Sequence, residues 1–116
     1  MKPQKLTVDE IRKKLFSVFD SAPVYKAVLF GSYARGEETE DSDIDIVIDS
    51  NNQLLNIYFY GVLENITQAL GRKVDLFEIS EIKPGSPIFK NIQREGVLLY
   101  EKKRQDHIPE GYRLYQ

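Results

Sequence analysis

Residues 31–49, GSYARGEETEDSDIDIVID, decide how this chain is read. They follow an apolar run over 25–30, break it with Gly31-Ser32, pass through a polar turn and open a second run in which acids alternate with isoleucines. Alternation in a strand puts Ile44, Ile46 and Ile48 on one face and Asp43, Asp45, Val47 and Asp49 on the other. Asp43 and Asp45 then project side by side, roughly 6–7 Å apart at the backbone. Two neighbouring anions repel and one pKa rises. A divalent cation reverses that penalty, and hard carboxylate oxygens together with substrate phosphates suit Mg²⁺. An isolated Asp-x-Asp more often marks a charged surface strand. Upstream, Gly31 at a strand end tolerates φ > 0 and lets backbone approach a ligand. The N–H groups of the next turn can receive a phosphate. Ser32 can add a hydroxyl and Arg35 a positive charge, although the same residues also suit an ordinary turn with Arg35 solvated. Ser42 can bond local backbone and shape the entry to the strand.

Further along, Asp75 lies inside the apolar run Val74-Asp75-Leu76-Phe77. A lone carboxylate within a covered strand is rarely structural only. If this strand lies beside 44–48, Asp75 completes a three-carboxylate cluster. Such a cluster can hold two Mg²⁺ ions, or one ion plus a base for an attacking hydroxyl. Glu78 is an alternative third acid, but its place at the strand end predicts a solvated role.

The rest of the chain supplies a frame. Thr7 and Glu10 have capping-box spacing and precede the helical stripe Ile11, Leu15, Val18 and Phe19, which should stop near Asp20, ahead of Pro23. Residues 54–70 read as a long helix carrying Leu55, Tyr58, Phe59, Val62, Leu63, Ile66 and Leu70, with Gly71 as its stop. Ser86-Pro87 resembles an N-cap followed by proline at the first helical position; that helix should end before Gly96, and 97–100 should form a last strand. The order helix, strand, turn, strand, helix, strand, helix, strand predicts an α/β fold, a small mixed β-sheet flanked by helices. The link between the first two strands leaves their relative direction open.

Composition sets the outer bounds. The chain's 116 residues allow one domain. With no cysteine and one histidine, thiolate chemistry and a multi-histidine metal site are excluded. A net charge of −2 offers no global attraction to nucleic acid or an anionic membrane. Hydrophobic content of 41% with 29% charged residues reads as globular. Apolar stretches are too short to cross a bilayer, and no signal-type run follows the N-terminus, so the expectation is a cytoplasmic protein with no membrane partner and no direct DNA binding.

Taken together, GSYARG, SDIDIVI and VDLFE resemble the nucleotidyltransferase superfamily with the DNA polymerase β-like catalytic fold. More narrowly, they resemble the minimal nucleotidyltransferases that partner HEPN toxins. The pattern is Gly-Ser, a spacer, Asp-x-Asp and a third acid on a later strand, and it is met here by Gly31, Ser32, Asp43, Asp45 and Asp75. The likeness extends over roughly 24–101. It implies a nucleotidyltransferase domain over 1–101, with 102–116 a polar tail or partner-binding extension. It implies a polymerase β palm-like fold, Mg²⁺ as cofactor and ATP as substrate, with transfer of AMP to a hydroxyl. Carried over, Gly31 and Ser32 hold phosphates, with Arg35 and Ser42 as further nucleotide-binding candidates. Asp43, Asp45 and Asp75 are the catalytic and metal-binding acids. The chain has no room for an acceptor-binding domain, so the acceptor surface should come from a partner or a second copy. The implied partner is a cognate HEPN-type toxin carrying the modified tyrosine, in a hetero-oligomer or homo-oligomer. Two other functions fit: a binding protein that masks the toxin without needing catalysis, and a catalytic subunit that modifies a small molecule such as an aminoglycoside.

Weaker signals carry bland readings. His107 is expected at the surface, and Lys102-Lys103-Arg104 as a solvated basic run. Glu37, Glu38, Glu40 and Asp41 read as a solvated acidic loop. Tyr58, Phe59 and Tyr60 cannot all face one core, so at least one should be exposed or lie at an interface. Tyr33, within the phosphate turn, could stack on a nucleotide.

Overall fold

A computed structural model of the chain describes residues 6–39 and 41–102. The expectations for Glu40, Lys103, Arg104 and His107, and for the tail beyond Lys102, lie outside the described residues.

The elements follow the expected order: α1 (Val8–Asp20), β1 (Lys26–Phe30), α2 (Ser32–Arg35), β2 (Ile44–Asp49), α3 (Ile57–Leu70), β3 (Val74–Glu78), a 3₁₀ turn (Ile79–Glu81), α4 (Pro87–Glu95) and β4 (Val97–Glu101). The capping box of α1 is formed in both directions: Glu10 N–H donates to Thr7 Oγ1 (3.1 Å) and Thr7 N–H to Glu10 Oε1 (3.0 Å). Ser86 caps α4 by accepting from Phe89 N–H at 3.2 Å, with Pro87 beginning the helix. Gly71 ends α3 at φ +64°, the left-handed conformation that a glycine supplies without strain.

The four strands lie in the order β3-β2-β1-β4. β1 is antiparallel to β2 and to β4, and β2 is parallel to β3. The sheet is therefore mixed, and the direction left open by the sequence is settled. The polar turn and α2 double the chain back, while the α3 crossover returns it parallel. Ala27 and Leu29 of β1 join Ile44, Ile46 and Ile48 on the face covered by α1 and α3, where Ile11, Leu15, Phe19, Val62 and Ile66 complete the core. Phe30, Asp45, Val47, Asp75 and Phe77 share the opposite face by register.

Three local expectations are corrected. Glu78 is 3% exposed, not solvated. It accepts from Ser50 N–H (3.2 Å) and from the Ser50 hydroxyl, whose oxygen accepts in turn from Leu54 N–H (3.2 Å). The loop leaving β2 folds over the end of β3, and a buried carboxyl there is satisfied by hydrogen bonds. Helix α3 begins at Ile57, because Asn51, Asn52 and Asn56 all have positive φ and interrupt the helical path. Leu54 alone turns into the core, whereas Leu55 and Tyr58 are exposed rather than core-facing. Tyr33 is buried and cannot stack on a nucleotide; its ring packs in the core beneath the Arg72 guanidinium, 5.6 Å from the ring centroid. As expected for the aromatic triplet, Tyr58 and Tyr60 are exposed while Phe59 packs against the core.

The Glu78–Ser50 contact yields a stability prediction. Glu78→Ala strands two buried donors and should lower unfolding free energy by about 2–4 kcal/mol. Glu78→Gln keeps an acceptor and should lose about 1 kcal/mol. Urea unfolding of the two variants checks the order.

Candidate active site

The site forms where β1 ends and β2 and β3 begin. Parallel pairing sets Asp45 opposite Asp75, so both carboxylates stand on the same face at one level. Their closeness and burial push Asp45 up to about 6. The first cause is desolvation by burial, followed by the charges of Asp75 and Asp43; Arg35 pulls weakly the other way. Part of the burial is traceable: Phe30 stands directly opposite Asp45, Phe77 lies two residues beyond Asp75 on the same face, and the two rings pack 5.7 Å apart.

Gly31 meets Asp45 from the end of β1. Its φ is +78°, and a Cβ built there would overlap Asp45 Oδ2. Glycine is thus required twice, for the backbone conformation and for the close approach. This contact joins the Gly-Ser turn to the Asp-x-Asp strand. Arg35 N–H donates to Gly31 O (3.1 Å) and Glu37 N–H to Ser32 O (2.9 Å), closing the single turn of α2. Its leading N–H groups have no acceptor within the helix, as at any helix start.

The remaining candidates are placed around this centre. Asp43 lies just before β2, with Lys73 Nζ 3.4 Å from its Oδ2 in an exposed pair of small energetic worth. Ser42 shapes the entry to β2: its Oγ accepts from Thr39 N–H at 2.8 Å, and its carbonyl accepts from Arg72 at 3.1 Å. Arg35 holds Glu37 at 2.9 Å and Glu95 at 3.1 Å, so a phosphate would compete with two carboxylates for it. Arg72, Phe30 and Phe77 were missed by sequence reasoning. Phe77 carried a usable signal, standing two residues from Asp75 on the same strand face; Arg72 carried none.

Among the described residues, no three acids are close enough together to hold a metal ion as they stand. The donor chemistry nonetheless fits a hard divalent cation. Asp45 and Asp75 are oxygen donors brought together at the cost of mutual repulsion, and Asp43 is adjacent in sequence and charge. Chemically, the arrangement can bind a cation and phosphates or accept a proton from an approaching hydroxyl.

The family described as Polymerase beta, Nucleotidyltransferase matches residues 13–105. The protein adenylyltransferase MntA of Thermococcus cleftensis is 42% identical over 69 residues, which is 60% of this chain and 68% of the relative. A Methanocaldococcus jannaschii chain provisionally named a protein adenylyltransferase is 44% identical over 68 residues, 57% of this chain and 68% of the relative. A solved point variant of the MntA toxin–antitoxin complex superposes with a TM-score of 0.61 at 27% identity, covering 88% of this chain and 78% of that one.

Proposed function

Because the chain belongs to the Polymerase beta nucleotidyltransferase family, we propose that it transfers AMP from ATP to a tyrosine of a cognate HEPN-type toxin and so acts as the antitoxin of that pair. The observation that carries this reading is the pairing of Asp45 with Asp75 against Gly31. Protein adenylyltransferases among the relatives, and a toxin–antitoxin complex of the same fold, support it.

In the reaction, the acceptor hydroxyl oxygen attacks the α-phosphorus of ATP. A new O–P bond forms, the bond from the α-phosphorus to the bridging oxygen breaks, and pyrophosphate leaves with that electron pair. The hydroxyl proton passes to Asp75 or to solvent. Gly31 and Ser32 hold the β- and γ-phosphates, while Arg35 and Ser42 border the nucleotide. Asp43, Asp45 and Asp75 would hold Mg²⁺, which supplies charge neutralisation for the phosphates. The protein's own contribution is mostly positioning. The partner supplies the acceptor surface. No helix among the described residues is long and apolar enough to cross a membrane, and we assign the work to the cytoplasm.

Co-expression separates this reading from masking. The partner toxin is produced with the wild type or with Asp43→Asn, Asp45→Asn. Growth restored by the wild type alone is expected. Equal rescue by both forms would make this chain a masking protein.

A further inference from the structure

β3 is an edge strand: among the described residues it pairs only with β2. A groove of about 400 Å³ runs along it, touched by all five residues of β3 together with Phe59 and Leu63 of α3, Glu81 and Ile82. Side chains of successive strand residues alternate between faces. A groove touching five in a row therefore follows the strand's backbone edge.

The orientation of that edge can be derived. Ile44 N–H donates to Lys73 O at 3.2 Å, so Lys73 turns its backbone groups toward β2. By alternation Asp75 and Phe77 do the same, and Val74 and Leu76 turn theirs outward. A strand laid antiparallel along this edge with one residue opposite Asp75 would make a non-hydrogen-bonded pair there, the class with the closer Cα approach, roughly 4.5 Å. Its side chain would lie beside the Asp75 carboxylate. The neighbours on either side would bond the outward groups of Val74 and Leu76 and drop their side chains toward Phe59 and Leu63. Glu81 borders the groove and favours a basic residue on the incoming segment.

We propose that the free edge of β3 receives the acceptor as an added strand, with the hydroxyl-bearing residue opposite Asp75, apolar neighbours on the α3 side and a basic residue toward Glu81. The identity of the bound segment rests on the nucleotidyl-transfer reading; the docking geometry does not. Continuity of the groove with Asp75 selects the acceptor over other occupants. The hydroxyl gains AMP, pyrophosphate leaves, and the proton goes to Asp75 or solvent.

The test uses the full chain, labelled with ¹⁵N, and an acetylated lysine-valine-tyrosine-valine-lysine peptide. Its twin carries N-methyl groups on both valines, which removes the valine N–H donors, places a methyl between the strands so that they cannot pair, and keeps the side chains. The parent peptide should slow amide exchange at Leu76 about tenfold and shift the signals of Phe59 and Leu63. With ATP and Mg²⁺ its tyrosine should gain AMP, and the twin should do none of this. Equal binding of the twin, signals elsewhere or no binding would overturn the proposal. So would exchange at Leu76 that is already slow in the free protein: concentration dependence would assign the edge to a second copy, its absence to the chain's own tail. A seated peptide left unmodified while a host protein is adenylylated would also overturn it. If the peptide seats and nothing at all is adenylylated, the docking stands and the transfer reading falls.

Discussion

Asp45→Asn should make the cation-free protein more stable at pH 8 while removing its transferase activity. Burial and the neighbouring acids raise Asp45 from its ordinary 3.8 to about 6. For an acid the sign is as follows. Below 3.8 the group is protonated in both folded and unfolded chains, and nothing is lost. As pH rises toward 6, the unfolded chain releases its proton first, so folding weakens; above 6 the penalty is complete. The full displacement corresponds to about 3 kcal/mol, and solvent screening of a half-buried group reduces it to about 1–2 kcal/mol. Asparagine carries no charge, and its amide N–H can donate to the neighbouring Asp75 carboxylate. The variant's advantage should therefore be absent near pH 3.5, grow between pH 4 and 6 and level off above, reaching several degrees in melting temperature. Mg²⁺ should raise the wild-type midpoint and leave that of the variant nearly unchanged. A variant less stable than wild type at pH 8 would show that the carboxylate pair is not strained. The loss of transfer should reach about 10²–10³-fold, as when a group acting on the transition state is removed.

Gly31→Ala should damage both folding and transfer. Alanine at φ +78°, ψ −155°, a region that essentially only glycine occupies, is strained by about 1–3 kcal/mol. Its Cβ would also overlap Asp45 Oδ2, so the acid must move or the turn must open. Either response misplaces a group next to the reaction, and displacement of about 1 Å can cost roughly 10²-fold in rate. Gly36→Ala is the control: its φ is +73°, but a Cβ there meets nothing within 4 Å. Thermal melts should show the smaller loss for Gly36→Ala, whose backbone is left-handed helical (φ +73°, ψ +21°) and whose added methyl meets open space. Only Gly31→Ala should lose transfer. Equal activity in both would mean that the closeness of Gly31 to Asp45 has no bearing on the chemistry.

Residues that carry a local signal are legible in the sequence, and those placed by distant contacts are not. The alternation of β2 was visible because buried isoleucines and outward acids differ so sharply in polarity. The position of Asp75 beside Asp45 followed once β3 lay next to β2, which the α3 crossover makes natural. The direction of β1 against β2 was not legible, because the connecting turn is polar and carries no period. Nor was the start of α3: apolar residues recur at helical spacing through Leu54 and Leu55, and only the backbone at Asn56 shows the break. Glu78 reads as a strand-end acid unless the loop carrying Ser50 is known to fold over it. Tyr33 looked available because its neighbours are polar, yet a single helical turn is enough to point one aromatic ring into the core. The layout of the candidate site was thus readable where polarity repeats along one strand, and unreadable where it depends on a contact between distant segments.

The most direct measurement compares α-labelled with γ-labelled ATP. The wild-type protein, Mg²⁺ and lysate of its native host are incubated with each nucleotide, beside the Asp43→Asn, Asp45→Asn variant. AMP transfer predicts a labelled protein band with the α-label, none above background with the γ-label and none from the variant. A band from the γ-label that depends on Asp43 and Asp45 would make the protein a phosphotransferase and contradict the account.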